Sequence, residues 1–325
     1  MPKGELAIFD EGTFEGTIDY QMFTKTSRLD LNNREISFPI TLSSNPEKLY
    51  VMIQTKYNKS YKPRWRIWLD SFSLTKEFKP NVELDLDDKY VISTIIYDLT
   101  PIIKEGKHEL IISHSSVNSL ELLNVSTISF YRQHGFSTTY RLSSGPLVLS
   151  CNERVELELL NKAFLVARNE SKFGNLKFID DKGDLIYVFN LSSDSEELEI
   201  QGKRKVIVTL DSKNEKDYGV ILASYSFVEV TPRIDLNINS RLDSNSIIFD
   251  IKNVSEIKLD KVIINVFVNG AQVHFRIVNN MEKDSNLTIK LPLQQSQQNK
   301  KLLINMRVVG IKGSYRRVFD RQITL

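Results

Sequence analysis

The residues best suited to chemistry lie in one short stretch, "YNKSYKPRWRIWLDSFSL", from Tyr57 to Leu74. Aromatic rings and arginines together recognise sugar faces and anions, and this stretch holds both tryptophans of the chain. The candidate ligand-binding residues are Tyr57, Tyr61, Arg64, Arg66 and Trp68. The alternative is strand packing, in which Trp65, Ile67 and Leu69 enter a core while the arginines and Trp68 face outward. Strand packing explains most of this composition.

Contiguous catalytic motifs are absent from the sequence: it has no G-x-S-x-G, no G-x-x-x-x-G-K-[ST], no G-x-G-x-x-G and no H-E-x-x-H. His108 and His114 fall on one predicted strand, where six residues at ~3.3 Å each separate them by about 20 Å, too far to share a metal. The carboxylates of "ELDLDD", residues 83–88, could offer oxygens to Ca²⁺, but they lack a loop glycine and a solvated turn is favoured. The sequence predicts no catalytic residue, no metal site, no cofactor and no enzymatic activity.

Composition places the chain among folded proteins of ordinary charge. It has 325 residues, 41% apolar and 26% charged, with a net charge of +2 that gives no electrostatic argument for nucleic acid. The N-terminus lacks the pattern of a secretory signal, and no window approaches the ~18 apolar residues of a membrane span. We therefore expect a protein without signal peptide or transmembrane segment, either cytoplasmic or part of a virion or particle.

Short runs with a period of two residues dominate the chain, which indicates β-strands with one buried face. Asn269-Gly270 and the "DDKGD" segment at 180–184 predict tight hairpin turns. Residues 152–170 suit a helix by composition, but the strict alternation in "VELEL" favours strand. The glutamine-rich tract at 293–301 is predicted to be a polar loop.

Two motifs resemble the galactose-binding-like jelly roll found in the sugar-binding domains of β-galactosidase-type glycoside hydrolases. They are "IWLDSFSL" (Ile67–Leu74) and "YDLTPIIKEGKHELIISHSS" (Tyr97–Ser116), and the resemblance covers about residues 35–131. It implies a jelly-roll fold without the catalytic barrel of those hydrolases. Residues 231–325, with "FDIKNVSEIKLDKVIINVFVNG", resemble an immunoglobulin-like sandwich.

The expected architecture is all-β, with three consecutive β-sandwich domains at 1–135 (jelly roll), 136–230 (sandwich) and 231–325 (immunoglobulin-like). Modular sandwiches without catalytic motifs favour a non-enzymatic scaffold acting through a protein partner or self-assembly, such as an archaeal virus capsid or turret component. The alternative function is carbohydrate binding through the aromatic face of the N-terminal jelly roll. No nucleic acid is expected as a partner.

Overall fold

The computed structural model confirms the all-β class: 69% of the chain is strand. It describes residues 1–23, 27–172, 174–190, 194–243, 245–292 and 302–325, and this part of the chain contains no helix, so no helix there could cross a membrane. The predicted polar loop at 293–301 lies outside the described residues. The chain divides into two compact units, Met1–Glu229 and Val230–Leu325.

The strands of the first unit are β1 (Lys3–Gly4), β2 (Ala7–Phe14), β3 (Gly16–Phe23), β4 (Ser27–Leu29), β5 (Glu35–Leu42), β6 (Lys48–Asn58), β7 (Trp65–Leu69), β8 (Phe72–Thr75), β9 (Val82–Asp85), β10 (Tyr90–Asp98), β11 (Gly106–His114), β12 (Leu120–Arg132), β13 (Ser137–Ser150), β14 (Arg154–Glu158), β15 (Lys162–Asn169), β16 (Asn175–Asp180), β17 (Leu185–Phe189), β18 (Glu196–Gln201), β19 (Lys205–Asp211) and β20 (Tyr218–Val230). The strands of the second unit are β21 (Leu236–Asp243), β22 (Ser246–Asn253), β23 (Leu259–Val268), β24 (Ala271–Met281), β25 (Asn286–Pro292), β26 (Leu303–Lys312) and β27 (Tyr315–Thr324).

Four antiparallel sheets build the first unit. Sheet I has the order β5-β11-β7-β8, and sheet II has the order β3-β12-β6-β10-β9 with β4 beside β12. Sheet III has the order β1-β13-β20-β15-β18 with β2 beside β13, and sheet IV has the order β14-β19-β16-β17. Residues 152–170 form β14 and β15, which confirms strand over helix.

Three hydrophobic clusters show how these sheets pack. One cluster lies between sheets I and II and includes Trp65 and Ile53, and another lies between sheets III and IV and includes Phe178 and Leu165. A third joins sheet II to sheet III, where Phe130 of β12 contacts Tyr140 of β13 with ring centroids 4.9 Å apart. Sheets II and III are therefore covered on both faces, which explains the nearly continuous burial along β12, β13 and β20.

The second unit is a single sandwich of a three-stranded sheet, β21-β22-β25, and a four-stranded sheet, β24-β23-β26-β27. Its core includes Phe249, Ile264 and Met306. The Asn269-Gly270 turn joins β23 to β24, and both residues take positive φ, 49° and 85°, as a two-residue hairpin turn of this type requires.

Sheet membership crosses the domain boundary that the sequence predicted at residue 135. Strands β1 and β2 pair with β13 of sheet III, although they precede the strands of sheets I and II in the chain. The predicted division at residues 135 and 230 stays a prediction.

Candidate functional site

The structure separates the five predicted ligand-binding residues into two places. On β7, Trp65 and Ile67 are buried, as strand packing predicted, while Arg66 and the partly exposed Trp68 lie on the outer face of sheet I. Arg64 is exposed immediately before that strand. Tyr57, at the end of β6, and Tyr61, in the loop that follows, instead line a concavity of about 450 Å³ at one end of sheet II.

The floor of this concavity, here called the tyrosine pocket, is a cross-strand row. Glu121 of β12 lies opposite Arg28 of β4 on one side and opposite Lys56 of β6 on the other. Directly paired residues of antiparallel strands project to the same face of a sheet, so two cations flank one carboxylate. Tyr90 of β10 pairs with Asn58 and extends the floor by one further strand. The tyrosine pocket is lined by Arg28, Lys56, Tyr57, Asn58, Tyr61, Lys89, Tyr90, Asn118, Ser119 and Glu121.

Hydrogen bonds fix the tyrosine rings. The hydroxyl of Tyr61 donates to the carbonyl oxygen of Ser119 on the opposite wall, and the hydroxyl of Tyr57 donates to the Glu83 carboxylate. Burial raises the pKa of both phenols, and the neighbouring Glu83 carboxylate raises that of Tyr57 further. Both rings are therefore neutral at physiological pH and are held in place before any ligand arrives.

Sheet III completes the floor from behind with an ion-pair network. Lys56 Nζ lies 3.1 Å from Glu170 Oε1 and 3.1 Å from the Tyr218 hydroxyl. Arg168 Nη2 lies 2.8 Å from Glu121 Oε1, and Arg168 Nε lies 2.6 Å from Glu170 Oε1. Burial alone would lower the pKa of Lys56, but the Glu170 carboxylate and the Tyr218 hydroxyl hold it above its ordinary value.

Two ammonium groups lie against the Tyr90 ring. Lys56 Nζ is 5.4 Å and Lys89 Nζ is 4.9 Å from its centroid, which is within cation–π range. The Lys89 backbone and that of Tyr90 are held by Asp87, whose Oδ1 accepts both N–H groups at 2.7 Å. Asp87 therefore fixes the turn that carries Lys89 and Tyr90, two of the residues that line the tyrosine pocket.

His108 is held by local contacts outside the tyrosine pocket. His108 Nδ1 lies 2.8 Å from Asp70 Oδ2, and its Nε2 lies 2.9 Å from the Lys104 carbonyl oxygen. The Asp70 hydrogen bond raises the pKa of His108. Within the described residues, no three His, Cys, Asp or Glu side chains are grouped as metal ligands.

The sequence predicted only two of the residues that line the tyrosine pocket, Tyr57 and Tyr61. Arg28, Lys56, Tyr90 and Glu121 lie on four different strands, with up to 93 positions between the first and the last. No local pattern links them, because their proximity arises from the order of strands in sheet II. The signal that was available is the tyrosine-rich end of β6 and its loop, which predicted Tyr57 and Tyr61.

Comparison with known proteins gives structural matches only. No protein-family model matches the chain, and no curated protein matches it. A β-glucuronidase from Ruminococcus gnavus in complex with D-glucaro-δ-lactam matches at TM-score 0.22 and 9% identity, covering 59% of this chain and 36% of the enzyme. The apo structure of Bacteroides uniformis β-glucuronidase 3 matches at TM-score 0.24 and 13% identity, covering 55% of this chain and 27% of that one. The chain thus spans about a third of the length of these enzymes, and their activity does not transfer to it on this likeness.

These comparisons correct two expectations. The hypothesis of a non-enzymatic particle scaffold is contradicted, since the structural matches named above are β-glucuronidases. The same matches contradict the expectation that the chain is not an enzyme, without assigning it an activity. That expectation relied on contiguous motifs. In a β protein, residues that line one concavity come from separate strands, as they do in the tyrosine pocket. The expectations of a protein partner and of no nucleic acid stay predictions.

Proposed function

We propose that the first unit binds carbohydrate in the tyrosine pocket. The observation that carries this proposal is the convergence of three tyrosines with amide, hydroxyl and charged side chains around one concavity of about 450 Å³. Ligand sites usually occupy ~300–1,000 Å³ and are mostly apolar, whereas this one is lined mainly by polar groups. A ligand dense in hydroxyl groups satisfies such a lining better than an apolar ligand does.

The hydrogen-bonding inventory fits a polyol. Asn58 and Asn118 carry amides that both donate and accept, and Ser119 carries a hydroxyl that does the same. The apolar C–H faces of a sugar need a flat partner, which the partly exposed Tyr61 and Tyr90 rings supply. The resemblance of residues 35–131 to galactose-binding-like domains implies the jelly-roll fold alone, and the case for a sugar rests on the lining of the pocket.

The test is direct titration of the full chain with neutral and acidic mono- and oligosaccharides by calorimetry, backed by amide chemical-shift mapping. Neither tryptophan lines the tyrosine pocket, so tryptophan fluorescence does not report binding there directly. We expect shifts among the pocket residues and a loss of affinity of about tenfold (~1.4 kcal/mol) in Tyr61→Ala. Tyr61→Phe, which keeps the ring but loses the hydrogen bond to Ser119, should retain most of the binding.

The matched control is Trp68→Ala, because Trp68 belongs to the other half of the predicted ligand face. If binding is lost in Trp68→Ala and kept in Tyr61→Ala, the ligand sits on the outer face of sheet I and the tyrosine pocket is the wrong site. If no sugar in the panel binds at millimolar concentration, carbohydrate binding by this chain is refuted.

A further inference from the structure

The charged groups around the tyrosine pocket divide into two sets. In the first set, each charge forms an ion pair with another residue of the protein: Glu121 is 2.8 Å from Arg168, and Lys56 is 3.1 Å from Glu170. These partners stand on or directly after β15 of sheet III, and the Arg168 side chain is only 7% exposed. A carboxylate neutralised in this way repels an approaching anion far less than a bare one does.

The second set is Arg28 and Lys89, which face the opening. The Arg28 side chain is 69% exposed, and its Nε stands 3.6 Å from Asp30, whose other oxygen already accepts the backbone N–H groups of Asn32 and Asn33. Among the described residues, no carboxylate lies within ion-pair distance of Lys89, whose ammonium lies over the Tyr90 ring. Cationic donors thus remain available at the opening of a site whose only lining carboxylate, in the described part of the chain, is Glu121.

We propose that the tyrosine pocket selects acidic carbohydrates, and that Arg28 and Lys89 bind the carboxylate or sulfate of the sugar. This inference rests on the proposed function and names its ligand class. A planar guanidinium matches a carboxylate or sulfate through paired N–H groups, and an ammonium adds a mobile point charge. Tyr61 and Tyr90 then contact the ring of the same sugar.

Arg168 acts on this selectivity as a positioning residue. It does not line the tyrosine pocket, and its contact with Glu121 adds to the flanking cations Arg28 and Lys56 in offsetting the charge of that carboxylate. Removing Arg168 leaves the Glu121 charge less compensated and more repulsive to an anionic ligand. Removing that charge as well should restore selectivity, which a purely structural role of Arg168 does not predict.

The experiment compares methyl glucuronide with methyl glucoside, which differ at a single carbon, on the full chain by calorimetry. We expect the acidic sugar to bind about tenfold more tightly or better, with the preference shrinking as salt rises from 0.05 to 0.5 M. Arg28→Met and Lys89→Met should each lower the affinity for the glucuronide more than the affinity for the glucoside, and so reduce the preference several-fold. Arg66→Met, which removes an exposed arginine from sheet I, is the matched control and should change neither affinity.

Arg168→Met should lower the ratio of the two affinities, and Arg168→Met with Glu121→Gln should raise it again. Equal binding of both sugars by the wild type overturns the acidic preference while leaving carbohydrate binding intact. Binding of neither sugar refutes both proposals together. Inorganic sulfate that binds as tightly as the glucuronide overturns sugar recognition by these cations, because the pocket is then a simple anion site. A sulfated glycoside that binds as well as the glucuronide supports recognition of either anionic group.

Discussion

Asn253 offers a demanding test of the contacts that hold the second unit together. With Val254 and Ser255 it forms an N-x-S glycosylation sequon, one of six in the chain, at Asn58, Asn124, Asn169, Asn190, Asn253 and Asn286. The structure gives this asparagine a different role. Its side chain is fully buried, its Nδ2 donates to the carbonyl oxygens of Ile257, Met281 and Glu282 at 3.1 Å, and its Oδ1 accepts from Ser255 N at 3.0 Å.

Replacing Asn253 by alanine leaves carbonyl groups and one N–H of the second unit without these partners. Each buried polar group left unpaired costs ~1–3 kcal/mol, so the four contacts together imply a loss of about 3 kcal/mol once some are met by water. In a domain of about 100 residues, 1 kcal/mol corresponds to roughly 4–8 °C in the midpoint of thermal unfolding. We therefore expect the Tm of the second unit to fall by about 12–24 °C.

Calorimetry of the full chain measures this loss, and hydrogen exchange of peptides from residues 230–325 assigns it to the second unit. Asn286→Ala is the matched control, since Asn286 is an exposed sequon asparagine on β25 of the same unit and should cost less than about 0.5 kcal/mol. Equal, small effects of the two substitutions would refute the structural role of the Asn253 amide.

Asn253→Asp tests the same contacts through the pH dependence of stability. Its carboxylate would face three carbonyl oxygens in a buried position, so the folded state should raise the pKa of the new aspartate. An acid with a raised folded pKa destabilises most when ionised, and the stability deficit should therefore grow as pH rises above about 4 and shrink below it. A deficit that does not change between pH 3 and pH 7 contradicts this reasoning.

Three further outcomes follow from the contacts of the first unit and from the β23–β24 turn. Asp70→Asn should lower the pKa of His108 towards 6.5 in an NMR titration, because the Asp70 hydrogen bond raises that pKa. The stability that this pair contributes is present below pH 6.5 and is lost as pH rises through the raised pKa. An unchanged His108 titration in the variant argues against the pair. Trp65→Ala should cost about 3–5 kcal/mol in denaturant unfolding, since the ring is buried and its Nε1 donates to the Glu77 carbonyl oxygen at 3.1 Å, whereas the outward-facing Trp68→Ala should cost much less. Gly270→Ala should cost about 1 kcal/mol from its positive φ of 85° alone, because no atom lies within 4 Å of the added methyl group; a neutral effect means that the turn adopts another conformation.

The elements that the sequence predicted well are those whose cause is local. The Asn269-Gly270 turn follows from the tolerance of these residues for positive φ, and the burial of Trp65 follows from a period of two along one strand. At residues 154–158 the alternation of apolar and polar residues correctly predicted a strand, although composition favoured a helix. In each case one to five consecutive residues carry the whole signal.

The arrangement of the sheets could not be predicted in this way. Strands β12, β13 and β20 are covered on both faces, so alternation no longer marks an inner and an outer side. The contact between sheets II and III also buries polar groups, with Gln54 Nε2 2.6 Å from Ser144 Oγ and Asn124 Nδ2 2.6 Å from Gln54 Oε1. In the sequence these residues look like ordinary exposed polar residues. Their hydrogen-bond partners lie on strands some 70–90 residues away along the chain, so their burial cannot be recognised locally.

Strand geometry explains why the search for motifs failed at the tyrosine pocket. Along one strand, residues that share a face are about 6.6 Å apart, whereas directly paired residues on neighbouring strands are only ~4.5–5.5 Å apart. The nearest partner for Glu121 on its own face is therefore Arg28 or Lys56 across the sheet, and not a residue two places along β12. A site on a sheet draws its groups from across the strands, so the absence of a contiguous motif says little about what such a surface binds or catalyses. For this chain, cross-strand rows such as Arg28–Glu121–Lys56 are the unit in which function has to be sought.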